Sequence, residues 1–332
     1  MRLVCAVCRL GCAVVVVLVG GARAQQPRAL DPAESYRILM AERMERSRKA
    51  VEETLRRRYE ERRDEGRPGN GEAAAKPGVV RAVSPEERQA LARTEKGLEY
   101  FAQSKFAEAV KEYNEALRLW PRLASAHNNL GSAYFALGRY DAAAESFRHA
   151  VGVEPNYGQA HFNLALAYLK LGREQEAGEA LTAAARAYFA TGEEQIKAGR
   201  REEAEATFKE LLRLDPQYPP AHLRLGALHY AAGRFAEAAA AFELVARAQA
   251  DNAYAHEGLA AAYVGLRRFK EAAAAAERAV KLKPDEPGAY YFAGLAYVAL
   301  GRREEARAAC DKLRALHADA DAQALADALA QP

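Results

Sequence analysis

A fixed interval of 34 residues governs this chain. Gly131 steps forward onto Ala165 and back onto Gly97, Tyr134 onto Tyr168 and Tyr100, Ala143 onto Ala177 and Ala109, and Ala150 onto Ala184 and Ala116. Self-similarity at a period of about 20–50 residues outranks any local reading. Each period is one small unit that cannot bury its apolar face by itself, so neighbours must stack. The expected fold class is therefore all-α, an α-α solenoid of about seven helical hairpins.

Positions within one period have separate physical jobs. Gly131 and Ala143 stand where the two helices of a hairpin cross, and only small side chains allow that approach. Tyr134 and Phe147 fill the space beside them. Gly138-Arg139 makes the turn between the helices, where glycine takes a positive φ cheaply. Pro155 ends the second helix, because proline lacks the donor that another turn needs.

The order Leu-Gly-x-x-Tyr, then Ala-x-x-x-Phe-x-x-Ala and a later Pro, resembles the tetratricopeptide repeat. The matching periods are about 90–123, 124–157, 158–184 (shortened), 185–218, 219–252, 253–286 and 287–320, inside a repeat region of 84–320. Residues 321–332 read as a capping helix and tail, with Leu325 and Leu329 four apart to cover the last open face. Ser84-Pro85-Glu86-Glu87 opens the region with the pattern of a capping box and a proline at the first helical position.

The third period lacks seven residues, about two helical turns. There is no proline between Pro155 and Pro216. The second helix of repeat three is expected to run into the first helix of repeat four, kinked or tightly turned near Ala184–Gly192, as a hinge between two halves.

The amino-terminal quarter differs in kind. Arg2 and Arg9 precede the uncharged apolar run Leu10 to Gly21, and Ala22-Arg23-Ala24 offers small residues for a peptidase. Residues 1–24 read as a secretory signal peptide, because the apolar run is shorter than the roughly 20 residues a membrane span needs. Retention as an anchor is the other reading. The expected location is exported, periplasmic or secreted. The leader takes three of the 48 basic residues and none of the 45 acids, so the remainder is balanced. A balanced chain lacks the basic excess of a nucleic-acid binder. The leader also takes Cys5, Cys8 and Cys12, leaving Cys310 at a packing position.

Residues 25–65 form a charged helical segment, with pairs such as Glu42/Arg46 and Glu52/Arg56 in the favourable order. Tyr36, Met40, Met44, Val51, Leu55 and Tyr59 make a narrow apolar stripe over 34–65. It fits a solvated single helix or a short coiled coil that makes homo-oligomers. Residues 66–83, with Gly66, Pro68, Gly69, Gly71 and Pro77, read as a flexible linker.

His127, His161, His222 and His256 recur at one repeat position. They do not read as a metal set. Successive repeats would hold them about a repeat apart, whereas zinc ligands lie about 2 Å from one ion. That position usually carries a large aromatic residue in the family resembled, as do Tyr188 and Tyr290 here. No phosphate loop, His-Glu-x-x-His or Gly-x-Ser-x-Gly is present, and no cofactor is expected.

The resemblance implies a concave groove lined by the first helix of each repeat. Carried over, its positions fall on Asn128, Asn129, Ser132, Phe135, Phe162, Asn163, Leu166 and Lys170, and later on Leu223, Arg224, Tyr230, Glu257, Tyr291 and Phe292. Asn129 and Asn163 hold equivalent places, similar to the asparagine ladder of protein O-GlcNAc transferases, where amides grip an extended backbone. The fifth positions carry no lysine, so the carboxylate clamp of chaperone-binding members is not expected. The expected function is a non-enzymatic scaffold or adaptor of the bacterial cell envelope that binds protein or peptide segments. An accessory subunit of an envelope enzyme complex, in cell-wall or polysaccharide synthesis, and an unrecognised hydrolase are the alternatives.

Overall fold

The computed structural model describes residues 84–330. The expected leader, charged segment and linker, and the last two residues, lie outside the described residues. Everything described is helical or a short connection between helices. The helices come in antiparallel pairs: α1 (Pro85–Ala102) with α2 (Phe106–Leu119), α3 (Ala124–Ala136) with α4 (Tyr140–Val153), and α5 (Gly158–Lys170) with α6 (Glu174–Lys197). Then α6 pairs again with α7 (Arg201–Leu214), followed by α8 (Pro219–Ala231) with α9 (Phe235–Ala248), α10 (Ala253–Gly265) with α11 (Phe269–Leu282), and α12 (Pro287–Ala299) with α13 (Arg303–Ala315). The second helix of each pair packs on the first helix of the next, and α14 (Asp319–Ala330) closes the end against α12 and α13.

The start of α1 is set locally. Ser84 Oγ accepts from Glu87 N at 3.1 Å, and Glu87 Oε2 accepts from Ser84 N at 2.8 Å, the reciprocal capping box of the sequence. Each hairpin turns at one left-handed residue. Gly138, Gly172, Gly199, Gly233 and Gly301 have φ of 73–74°, and Ser104 and Arg267 take the same place in repeats one and six with φ of 58° and 60°. Four of the turns carry a second lock. Arg139, Arg173, Arg268 and Arg302 lay their guanidinium groups over Tyr134, Tyr168, Tyr263 and Tyr297 at 4.4–4.6 Å.

The helix crossings are as close as the spacing requires. A Cβ on Gly131 would lie 2.6 Å from the ring of Phe147, and one on Gly192 would lie 2.6 Å from Phe208. Phe147 and Phe208 are themselves fully buried, so their rings fill the space the glycines leave. The same relation holds for Gly226 and Phe242. Alanine dominates the rest of the interior, including Ala109, Ala143, Ala177, Ala204, Ala238, Ala272 and Ala306 at one repeat position. Small residues bring helix axes together and let dispersion contacts accumulate along the stack.

Repeats three and four share a helix. The 24 residues of α6 run without interruption from the second-helix role of repeat three into the first-helix role of repeat four. The tight turn allowed for near Ala184–Gly192 is absent. The missing seven residues include the four that form the inter-repeat loop elsewhere. Tyr188, in the second half of α6, packs its ring on Gly158 and its hydroxyl donates to Gln159 Oε1 at 3.3 Å.

The recurring histidines tie each first helix to the loop before it. Nε2 of His127, His161 and His222 donates to the carbonyls of Pro121, Pro155 and Pro216 at 2.9 Å, and His256 Nε2 reaches Ala250 O at 3.1 Å. Tyr290 does the same with its hydroxyl to Pro284 O at 3.0 Å. At the far end Cys310 is buried, its Sγ donating to Ala322 O at 3.2 Å beneath α14. Leu325 is fully buried there and Leu329 is half-buried.

A cleft on the first-helix face of repeats four to seven

The two groups of groove residues read from the sequence have different surroundings. In repeats two and three the polar groove side chains are buried. Asn129 is 0% exposed and Asn163 is 2% exposed. Asn163 Nδ2 donates to Asn128 Oδ1 at 3.0 Å, and its own Oδ1 accepts from Gln159 Nε2 at 2.8 Å. Ser132 Oγ donates to Asn128 O at 3.0 Å, and Asn129 has no hydrogen-bond partner for its amide. These amides bond within the chain or are sealed in, so the asparagine ladder is not an open surface. Phe135 is buried edge-on against Tyr140, with ring centroids 5.0 Å apart. Phe162 and Leu166 are half-buried, and Lys170 is exposed.

Farther along, the same helix face opens. A cleft of about 520 Å³ lies among α6, α8, α10 and α12. That volume falls within the roughly 300–1,000 Å³ of sites that take up a ligand or side-chain cluster. Phe189 closes one end and Phe292 the other, with Tyr230 and Tyr254 on the walls. Tyr230 meets Phe292 edge-on at 6.3 Å, and Tyr291 meets Phe292 at 5.4 Å without itself lining the cleft. Ala227 and Ala261 line the cleft at the position where repeat three holds Leu166, and Gly258 stands where repeats two and three hold Asn129 and Asn163, its side-chain space taken by the Phe242 ring. Tyr254 is 57% exposed, the largest exposure among the bulky apolar side chains at this face.

Of the residues named from the sequence, Leu223, Arg224, Tyr230, Glu257 and Phe292 converge on this cleft. Pro220, Ala227, Tyr254, Gly258 and Ala261 were passed over, although they occupy the second, sixth and ninth positions of the same rule. They are unremarkable as side chains, and their small size or plain hydrophobicity is what shapes the site. Phe242 comes from the second helix α9, its ring wedged against both Gly226 and Gly258.

Two polar groups enter the apolar walls. Arg224 is neutralised by Glu193 of α6 in a two-pronged pair, Nε to Oε1 at 2.7 Å and Nη2 to Oε2 at 2.9 Å. Glu257 is half-buried on α10, and burial pushes its carboxyl above the ordinary carboxylate range, with Glu286 adding to the effect and Lys283 opposing it. Burial likewise raises the Tyr230 hydroxyl, Tyr291 contributing. Such a surface offers apolar volume, aromatic faces and few polar contacts. It suits side chains of another molecule.

A stack of helical hairpins with a groove on its first-helix face defines an α-solenoid. Models described as tetratricopeptide repeat, or TPR repeat, match residues 97–138, 131–172, 158–187, 195–262 and 258–324. The chain belongs to the tetratricopeptide repeat family. No curated protein sequence matches it. Among solved structures it is similar to the anaphase-promoting complex assembly Cut9–Hcn1, at 16% identity, TM-score 0.41, over 75% of this chain and 57% of that one. It is also similar to PilW, a type IV pilus biogenesis factor, at 20% identity and TM-score 0.37, over 71% of this chain and 97% of that one. A third is the second repeat domain of Spaghetti (RPAP3) bound to an HSP90 peptide, at 21% identity and TM-score 0.29, over 30% of this chain and 91% of that one. The chain thus spans little more than half the length of the first of these.

Proposed function

We propose that this protein is a non-catalytic adaptor of the bacterial cell envelope, and that it holds a segment of another polypeptide in the cleft of repeats four to seven. The observation that carries the reading is the cleft itself. Aromatic side chains stand around an accessible volume that the small residues Ala227 and Ala261 border. Burying apolar surface there stabilises a complex by about 25 cal/mol for each Å² removed from water. The envelope location rests on the leader-like residues 1–24. Self-association, if residues 34–65 form a coiled coil, would present several clefts at once and raise avidity.

A photo-crosslinking residue placed at Tyr254 in the full chain, expressed in a bacterium with a cell envelope, tests the proposal. The expected result is capture of a defined protein in the envelope fraction, by a chain whose amino terminus is Gln25. Ala227→Arg, which fills the cleft from an exposed position, abolishes the capture. Equal capture from a probe at exposed Glu304, away from the cleft, would overturn the cleft as the binding surface.

A further inference from the structure

One charged group that lines the cleft has no close partner among the described residues. Arg224 is held by Glu193. Lys283, near the cleft mouth, is held by Glu286 at 2.7 Å and by the Tyr254 hydroxyl at 2.9 Å, with its ammonium 4.8 Å from the Tyr254 ring centre. Glu257 makes no hydrogen bond or ion pair among the described residues. Its carboxylate reaches from α10 to the first turn of α12, where Gly288 leaves room that a Cβ would close. A half-buried carboxylate without a partner costs free energy in the empty protein, and that cost disappears when a cation arrives.

The aromatic walls point the same way. Tyr230 and Phe292 stand around the same space as Glu257. Aromatic faces attract an ammonium or guanidinium through the ring quadrupole, more strongly as water is excluded. Apolar side chains beside that cation would fill the remainder of the cleft. From this geometry we infer that the bound segment presents one lysine or arginine between apolar residues, with the cation seated against Glu257. The inference rests on the cleft being the binding surface, and it adds the chemistry of the partner.

Selection from a random library of 12-residue displayed peptides tests it, using the full chain, Glu257→Gln, Glu257→Lys and Ala227→Arg in parallel. The wild-type chain is expected to enrich peptides carrying a basic residue flanked by apolar ones. For a synthetic copy of an enriched peptide, Glu257→Gln weakens binding at least about tenfold, as loss of one partner of a desolvated charge pair does. Glu257→Lys shifts the enrichment toward acidic peptides. Thermal unfolding of each variant checks that the fold is retained. Enrichment of purely apolar peptides, or a basic preference that survives Glu257→Gln, overturns this inference and leaves the cleft reading intact. Failure of the wild-type chain to enrich any peptide that Ala227→Arg excludes overturns both.

Discussion

Arg267 stands at a place where five other repeats carry glycine. Its φ of 60° matches theirs, and its side chain is exposed. A left-handed backbone costs a non-glycine residue roughly 1–2 kcal/mol, partly offset because glycine loosens the unfolded chain. Arg267→Gly is therefore expected to stabilise the protein by about 0.5–1 kcal/mol. A higher denaturant midpoint with unchanged slope would bear this out, and an unchanged or lower midpoint would not. At this scale much was legible from the sequence, because turn glycines and crossing glycines do jobs no other residue does. Gly131 against Phe147 follows directly from the spacing. The cleft was less legible. Small residues such as Ala227 and Ala261 carry no sequence signal that distinguishes a cleft lining from a packed interior. Asn129 and Asn163 looked equipped for binding, but both are buried.

Helices one to five and seven to thirteen follow the 34-residue spacing, but α6 carries two roles. The absence of a proline between Pro155 and Pro216 announced that two helices would meet, and they fuse into one uninterrupted helix. Along this one helix Ala177 and Ala184 serve repeat three, while Gly192 packs on Phe208 and serves repeat four. The same continuity makes α6 sensitive to a break. Arg186 is exposed near its middle, so Arg186→Pro removes little packing. It does remove a backbone hydrogen bond and clash with the preceding turn, an expected loss of about 3 kcal/mol or more. Hydrogen exchange checks the location: amides of α6 should lose protection while those of α10 and α11 keep theirs.

The whole array behaves as a line of neighbours, and its end has a definite seal. Leu325 is fully buried against Gly294, and with Ala322 it covers Cys310 and Leu313. Leu325→Ala is expected to cost about 2–5 kcal/mol. Because a stacked array is coupled mainly through adjacent repeats, that loss stays local. Alkylation read by peptide mapping should accelerate at Cys310, while protection in α3 and α4 is unchanged. Uniform loosening of the stack would contradict nearest-neighbour behaviour. The architecture was legible at this scale because periodicity is a global signal. Where the groove opens was not, since it depends on packing between helices 30 or more residues apart in sequence.

The shared helix has a mechanical consequence. A flexible joint between stacked hairpins needs a loop whose dihedrals can swing, and α6 supplies none between repeats three and four. To pivot there, the protein must first melt a helical turn. A tug on a segment lodged beside Phe189 is thus transmitted along a hydrogen-bonded rod into α5, where Tyr188 already grips Gly158. Cargo seated in the later repeats would be coupled stiffly to the earlier ones, with no swivel to absorb the load.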